Sequence, residues 1–146
     1  MAAAVLGGSA CSSMFQTSPA LVTALAPAAG YATGVECDAT TCKERWERAQ
    51  IWVAKHSMFK IQTATDVLIQ TFGTQNDVRY TFSVTKEPLG GGKYRIVAEV
   101  VCGSWNIHMC RPPEMPELRT AIHYFIATGE DVFAKPGAME KVTSIR

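Results

Sequence analysis

Five cysteines stand at positions 11, 37, 42, 102 and 110, and the last four fall into two close pairs, Cys37-x4-Cys42 and Cys102-x7-Cys110. The segment CGSWNIHMC gathers the densest set of reactive atoms in the chain: two thiols, the imidazole of His108, the thioether of Met109 and the indole of Trp105. Thiol, thioether and imidazole together suit a soft ion such as Cu(I). The spacing contains no Cys-x2-Cys for zinc, so no metal is assigned. Nucleophilic catalysis would need a free thiol beside a His base. None of His56, His108 and His123 stands in such a signature with a cysteine. Four cysteines allow three disulfide connectivities. The two local pairings, Cys37 with Cys42 and Cys102 with Cys110, are favoured because each staples a loop to the end of an element. Rings of this size remove about 2–3 kcal/mol of unfolded-chain freedom. Thiols bunched at two places point to an oxidising compartment, with a reduced cytosolic protein as the alternative.

Cys11 remains over. It follows Gly8-Ser9-Ala10 in LGGSACSS, a pattern similar to the lipobox of bacterial lipoproteins, in which the cysteine is acylated and becomes the mature N-terminus. Gly8 departs from the aliphatic residue expected three positions before the cysteine, and the basic start of a signal peptide is missing. The alternative is an incidental cysteine in a signal peptide that is cleaved between Ala24 and Ala32. Residues 1–36 carry no Lys or Arg and are rich in Ala, Ser, Thr, Gly and Pro. They read as the remnant of an export signal and a flexible tether. Acyl chains contribute about 0.8 kcal/mol per buried CH2, enough for two or more to hold a domain on a bilayer.

The elements that would position any site begin after Cys37. Thr41 at N-cap and Glu44 three residues on compose a capping box, and Trp46, Ala49 and Val53 share one stripe. The spacing predicts a helix over residues 42–56. In KIQTATDVLIQTF the tripeptide IQT occurs twice, which suggests a hairpin. Ile61, Thr63, Thr65, Val67, Ile69 and Thr71, however, are β-branched at every second position and predict one long strand over residues 59–72, bent near Asp66. Val78, Tyr80, Phe82 and Val84 alternate with polar residues in a second strand. After Pro88 and Gly90-Gly91-Gly92, the residues Tyr94, Ile96, Ala98, Val100 and Cys102 make a third. Pro116 opens a second helix as its first residue, with Met115, Leu118, Ile122 and Phe125 on one face and Gly129 at its C′ end. The expected fold is α+β: a three-stranded or four-stranded antiparallel meander with two helices on one face, in the order α-β-β-β-α, over residues 37–131. Residues 132–146 read as a flexible tail.

The chain of 146 residues is 47% hydrophobic with a formal net charge of +1, which fits one modest domain. Near-neutral charge without a Lys/Arg cluster argues against nucleic acid. No apolar run approaches the roughly 20 residues of a transmembrane helix, so membrane attachment is expected by the lipid anchor alone. Asp66, Glu99, Glu114 and Glu117 have no acid/base spacing, and the glycine triplet precedes no helix and is no phosphate loop. With both helices on one side of the sheet, the other side would present Leu68, Phe72, Val97 and Val101 among Lys60, Gln62, Arg79, Arg95 and Glu99. This mixed face is the candidate surface for a protein partner, and the first and third strands are edges open to strand addition.

The run KHSMFKIQTATDVLIQT, the run FSVTKEPLGGGKYRI and the loop from Cys102 to Cys110 resemble a family of small uncharacterised exported proteins and lipoproteins of Burkholderia-type proteobacteria. The resemblance covers residues 37–131 and brings no catalytic residues. It implies a cell-envelope protein, anchored in the outer membrane or periplasmic. The expected function is therefore non-enzymatic: a lipoprotein domain acting through contacts with an envelope protein, possible surface antigenicity included. No cofactor and no small-molecule substrate are implied. The alternatives are a periplasmic inhibitor or immunity-like protein that blocks an enzyme, and a copper- or redox-active thiol protein.

Overall fold

The computed structural model describes residues 19–73, 76–104, 110 and 115–134. They form a mixed α+β domain with a five-stranded antiparallel sheet and three α-helices. The order is α1 (Pro19–Leu25), a 3-10 turn (Ala26–Tyr31), β1 (Val35–Cys37), α2 (Cys42–His56), β2 (Ile61–Ala64), β3 (Leu68–Thr71), β4 (Tyr80–Gly90), β5 (Lys93–Cys102), α3 (Met115–Thr128) and a last 3-10 turn (Val132–Ala134). Strands lie side by side as β1-β5-β4-β3-β2, every neighbour antiparallel. β2 to β5 thus make the expected meander in its four-stranded form, while β1 adds an unforeseen fifth strand on the far side of β5 and α1 a third helix.

The extra strand of the meander comes from the IQT repeat. The stretch expected as one strand folds back on itself as the β2–β3 hairpin, and the turn at residues 65–67 is held by Thr65. Its hydroxyl accepts from the backbone N–H of Leu68 at 3.0 Å, and its own N–H donates to the Leu68 carbonyl at 2.8 Å. A register irregularity between Ile61 and Thr63 shifts the parity of β2, so unbroken alternation of β-branched residues no longer means one face. Val67 ends up 54% exposed at the tip.

α2 runs over the expected residues, with Trp46, Ala49, Trp52 and Val53 buried. Its N-terminus is closed differently from the capping box. Thr41 makes no cap hydrogen bond as N-cap; Asp38 Oδ1 instead accepts from the N–H groups of Thr40 and Thr41 and from both hydroxyls. The Thr40 hydroxyl and these further donors hold the Asp38 carboxyl down at about 2. Glu44 is left to pair with Arg48 one turn on, and Arg48 also donates to the carbonyls of Ile126 and Ala127, the open end of α3.

α3 starts at Met115, one residue before Pro116, and is buried over six consecutive positions, 121 to 126. It lies on the sheet beside α2 and is flanked by α1 and the first 3-10 turn. Here the structure corrects the expected tether. Leu21, Ala24, Ala28 and Val35 are buried members of the core, so residues 19–36 belong to the folded domain. The other end is corrected too, because Val132 and Phe133, assigned to a tail, are buried. Residues 1–18 and 135–146 lie outside the described residues.

Among the glycines whose positive φ side chains disfavour, two sites close the turns that matter here. Gly91 and Gly92, with φ of 59° and 74°, form the tip of the β4–β5 hairpin as its two central residues require. Gly129 has φ of 81° at the end of α3, donates to the Phe125 carbonyl at 2.8 Å, and has Arg48 3.4 Å from where a Cβ would stand. Gly129→Ala should cost about 1–2 kcal/mol from the left-handed backbone, measured as a lower urea midpoint.

Candidate functional site

Alternation sorts the sheet into two faces. Ile69, Phe82, Val84, Ile96, Ala98 and Val100 point into the core beneath α2 and α3, where Trp52 meets Phe82 edge-on at 5.4 Å. Their neighbours along each strand point the other way, where no helix packs among the described residues. The register then lines up Leu68, Thr85 and Val97 across β3, β4 and β5, and next to them Gln70, Ser83 and Glu99. Thr81 pairs with Val101 further along, and Phe72 follows β3 at that end. The four apolar residues expected on the open side therefore share it. Phe72 and Val101 are 51% and 55% exposed, while Leu68 and Val97 are half-buried by their strand neighbours. Between them lie the hydroxyls of Thr81, Ser83 and Thr85, the Gln70 amide and one carboxylate, that of Glu99; the Thr81 hydroxyl donates to the Val101 carbonyl at 3.2 Å.

The charged rim is partly spent on internal contacts. Arg95 reaches Glu36 across β5 and β1 at 2.9 Å. Arg79 forks onto Asp77 and stacks over the Phe59 ring at 4.4 Å, and that ion pair holds the guanidinium above its ordinary pKa. Glu99, Lys60 and Gln62 are exposed. The sheet edges differ from expectation: β2 is one edge and the three-residue β1 is the other, so the third strand of the expected meander, β5, has a partner over Tyr94 to Ile96.

Both expected disulfides are present, with Cα–Cα distances of 4.9 Å for Cys37–Cys42 and 6.1 Å for Cys102–Cys110. The first ties β1 to the start of α2. The second closes the loop after β5 on itself. All four of these sulfurs are thereby bonded to one another and none is available as a thiolate ligand or nucleophile. His108, Met109 and Trp105 of that loop, Glu114, and the proposed lipidation residue Cys11 lie outside the described residues.

The histidines within the fold are fastened rather than poised. His123 is fully buried, and both ring nitrogens are engaged: Nε2 accepts the Ala98 N–H at 2.8 Å, and Nδ1–H donates to the Tyr31 carbonyl at 2.7 Å. The acceptor role at Nε2 assigns the neutral Nδ1–H tautomer. Burial pushes its pKa down to about 4, with Arg119 one turn earlier adding repulsion and the Tyr31 carbonyl opposing. His56 stacks on Trp52 at 4.5 Å and holds Asp131 at 2.7 Å, joining the end of α2 to the chain after α3. Trp52 Nε1 is buried with no hydrogen-bond partner among the described residues.

In the sequence His123 has no signature with a cysteine, and the structure places it inside the core between buried Ile122 and Tyr124. Sequence reasoning passed over Trp46, Lys86 and Asp66 as a group, because helix, strand and hairpin turn had first to be brought together. No helix among the described residues is long and apolar enough to cross a membrane. In comparisons with models of protein families, with curated proteins and with solved structures, nothing matches the chain.

Proposed function

We propose that this chain is a non-enzymatic, extracytoplasmic binding domain of a bacterial cell envelope, attached through an acylated Cys11, which acts by protein contacts on the open face of its sheet. The observation that carries the reading is that face itself: Leu68, Phe72, Val97 and Val101 stand on the side that no helix covers among the described residues, interleaved with hydroxyl groups, Gln70 and the single carboxylate of Glu99. Such a composition desolvates at low cost against another protein. Two disulfides in a domain of this size are compatible with an oxidising compartment. The fastened histidines and the four disulfide-bonded cysteines favour binding over acid/base or thiol chemistry.

A photo-crosslinking residue at position 99, exposed on the same face and introduced in the native host, should trap a discrete envelope protein, and adding Phe72→Glu and Val101→Glu to that chain should weaken its capture more than about tenfold. Ile51→Glu, at an exposed site on α2, should not. Equal capture by all three chains would refute the surface assignment. A single dominant enzyme among the trapped products, inhibited by the purified domain, would turn the reading into that of an inhibitor or immunity-like protein.

A further inference from the structure

We propose that the cleft between α2 and the β2–β3 turn binds a small zwitterion of amino-acid size, through separate recognition of its carboxylate and its ammonium group. The cleft encloses about 380 Å³ and is lined by Lys43, Trp46, Glu47, Gln50, Asp66 and Lys86. That volume lies at the small end of ligand cavities, which run from about 300 to 1,000 Å³. The four α2 residues recur at i, i+3, i+4 and i+7 and so form one stripe of the helix, facing Asp66 from the hairpin turn and Lys86 from β4.

Two features make this cleft more than a patch of solvated charge. Its apolar wall is fixed in place: Trp46 is buried, and its Nε1–H donates to the Thr65 carbonyl at 3.0 Å. Lys86 is fixed as well, since its backbone N–H donates to the Val67 carbonyl at 3.0 Å and its Nζ stands 5.3 Å and 5.7 Å from the ring centroids of Trp46 and Tyr94. The second feature is an unmade set of pairs. Two ammonium groups and two carboxylates line one small cavity, yet the ion pairs among the described residues are Glu44–Arg48, His56–Asp131, Asp77–Arg79 and Glu36–Arg95, all elsewhere. A ligand with both signs of charge answers this arrangement: its carboxylate faces Lys43 and Lys86, its ammonium faces Glu47 and Asp66, and its side chain lies on the indole. A simple anion would meet the two carboxylates, and a simple cation would meet the two lysines. The cleft is on the helix side of the sheet, so the inference stands apart from the partner face.

The test is a titration of the uniformly 15N-labelled full chain with each free L-amino acid to about 10 mM, a range that reveals millimolar affinity. The expected result is a saturable shift of the Trp46 indole N–H signal, identified by its disappearance in Trp46→Phe, with at least one of them. The N-acetyl and the carboxamide form of that amino acid should each bind more than about tenfold more weakly, as should the free amino acid to Lys43→Gln and to Asp66→Asn. Both substituted side chains are exposed, so spectra of the variants should keep native dispersion. No saturable shift with any amino acid, equal binding of the capped forms, or unchanged affinity in both variants would overturn the proposal.

Discussion

His123→Leu should lower the unfolding free energy by about 2–5 kcal/mol at pH 7, seen as an earlier urea midpoint at unchanged slope. Leucine fills much of the same space but takes no hydrogen bond, which strands the buried Ala98 N–H and the Tyr31 carbonyl together. Each orphaned group costs about 1–3 kcal/mol. The imidazole also stands in for a strand: β1 pairs with β5 only as far as Ile96, and the next outward N–H, that of Ala98, goes to His123. Losing it should therefore loosen β1 and the 3-10 turn first, and hydrogen exchange should show the earliest loss of protection at residues 31–37. Uniform loss across the sheet would contradict this account.

The same residue makes the native chain acid-labile. Its pKa falls from 6.5 to about 4 on folding, so between these values the unfolded chain binds the extra proton and the folded one does not. Stability is then fully present above pH 6.5 and is lost as the pH falls towards 4, by about 3 kcal/mol in all. His123→Leu should remove this slope, leaving a flatter profile over the same window. Parallel profiles for the two chains would show that another group sets the acid limit.

Reduction should be the second large effect. The rings closed by Cys37–Cys42 and Cys102–Cys110 span five and eight positions, and chain-entropy arguments assign about 2 kcal/mol to each, about 4–5 together. That is comparable to the whole stability of a marginal domain, about 5–15 kcal/mol. Treatment with dithiothreitol, or substitution of all four cysteines by alanine, should bring the thermal midpoint down by about 9–18 °C, at roughly 2–4 °C per kcal/mol for a chain approaching 150 residues. Cys37→Ala with Cys42→Ala should account for nearly half and should loosen β1, which is held otherwise by three residues of pairing, the buried Val35 and the Arg95–Glu36 ion pair. A midpoint unmoved by reductant would mean that the folded state holds these loops without help.

Those disulfides were legible because spacing of five and eight leaves each cysteine near only one other. α2, β4, β5 and α3 were legible for a related reason: each carries its own period over ten or more residues, and each buries the stripe that the period marks. What was not legible is what depends on contacts between distant residues. The β2–β3 turn rests on the Thr65 hydroxyl and on Trp46, nineteen residues earlier, donating to the Thr65 carbonyl. The first 3-10 turn and β1 are too short to display a period; they are fixed by His123 and Arg95, more than fifty residues away. The open face of the sheet was readable from alternation alone, whereas the Trp46–Lys86 cleft exists only after α2 has been laid beside the hairpin.

The burial of α1 has a consequence for reach. If Cys11 carries the lipid, α1 of the domain begins at Pro19, only eight positions on, rather than near Cys37. Eight residues extend at most about 28 Å, against about 90 Å for twenty-six. A span bounded in this way keeps the domain within roughly its own diameter of the bilayer, with the α1 end turned towards the lipid, and leaves any partner to meet it close to the membrane surface rather than across the envelope.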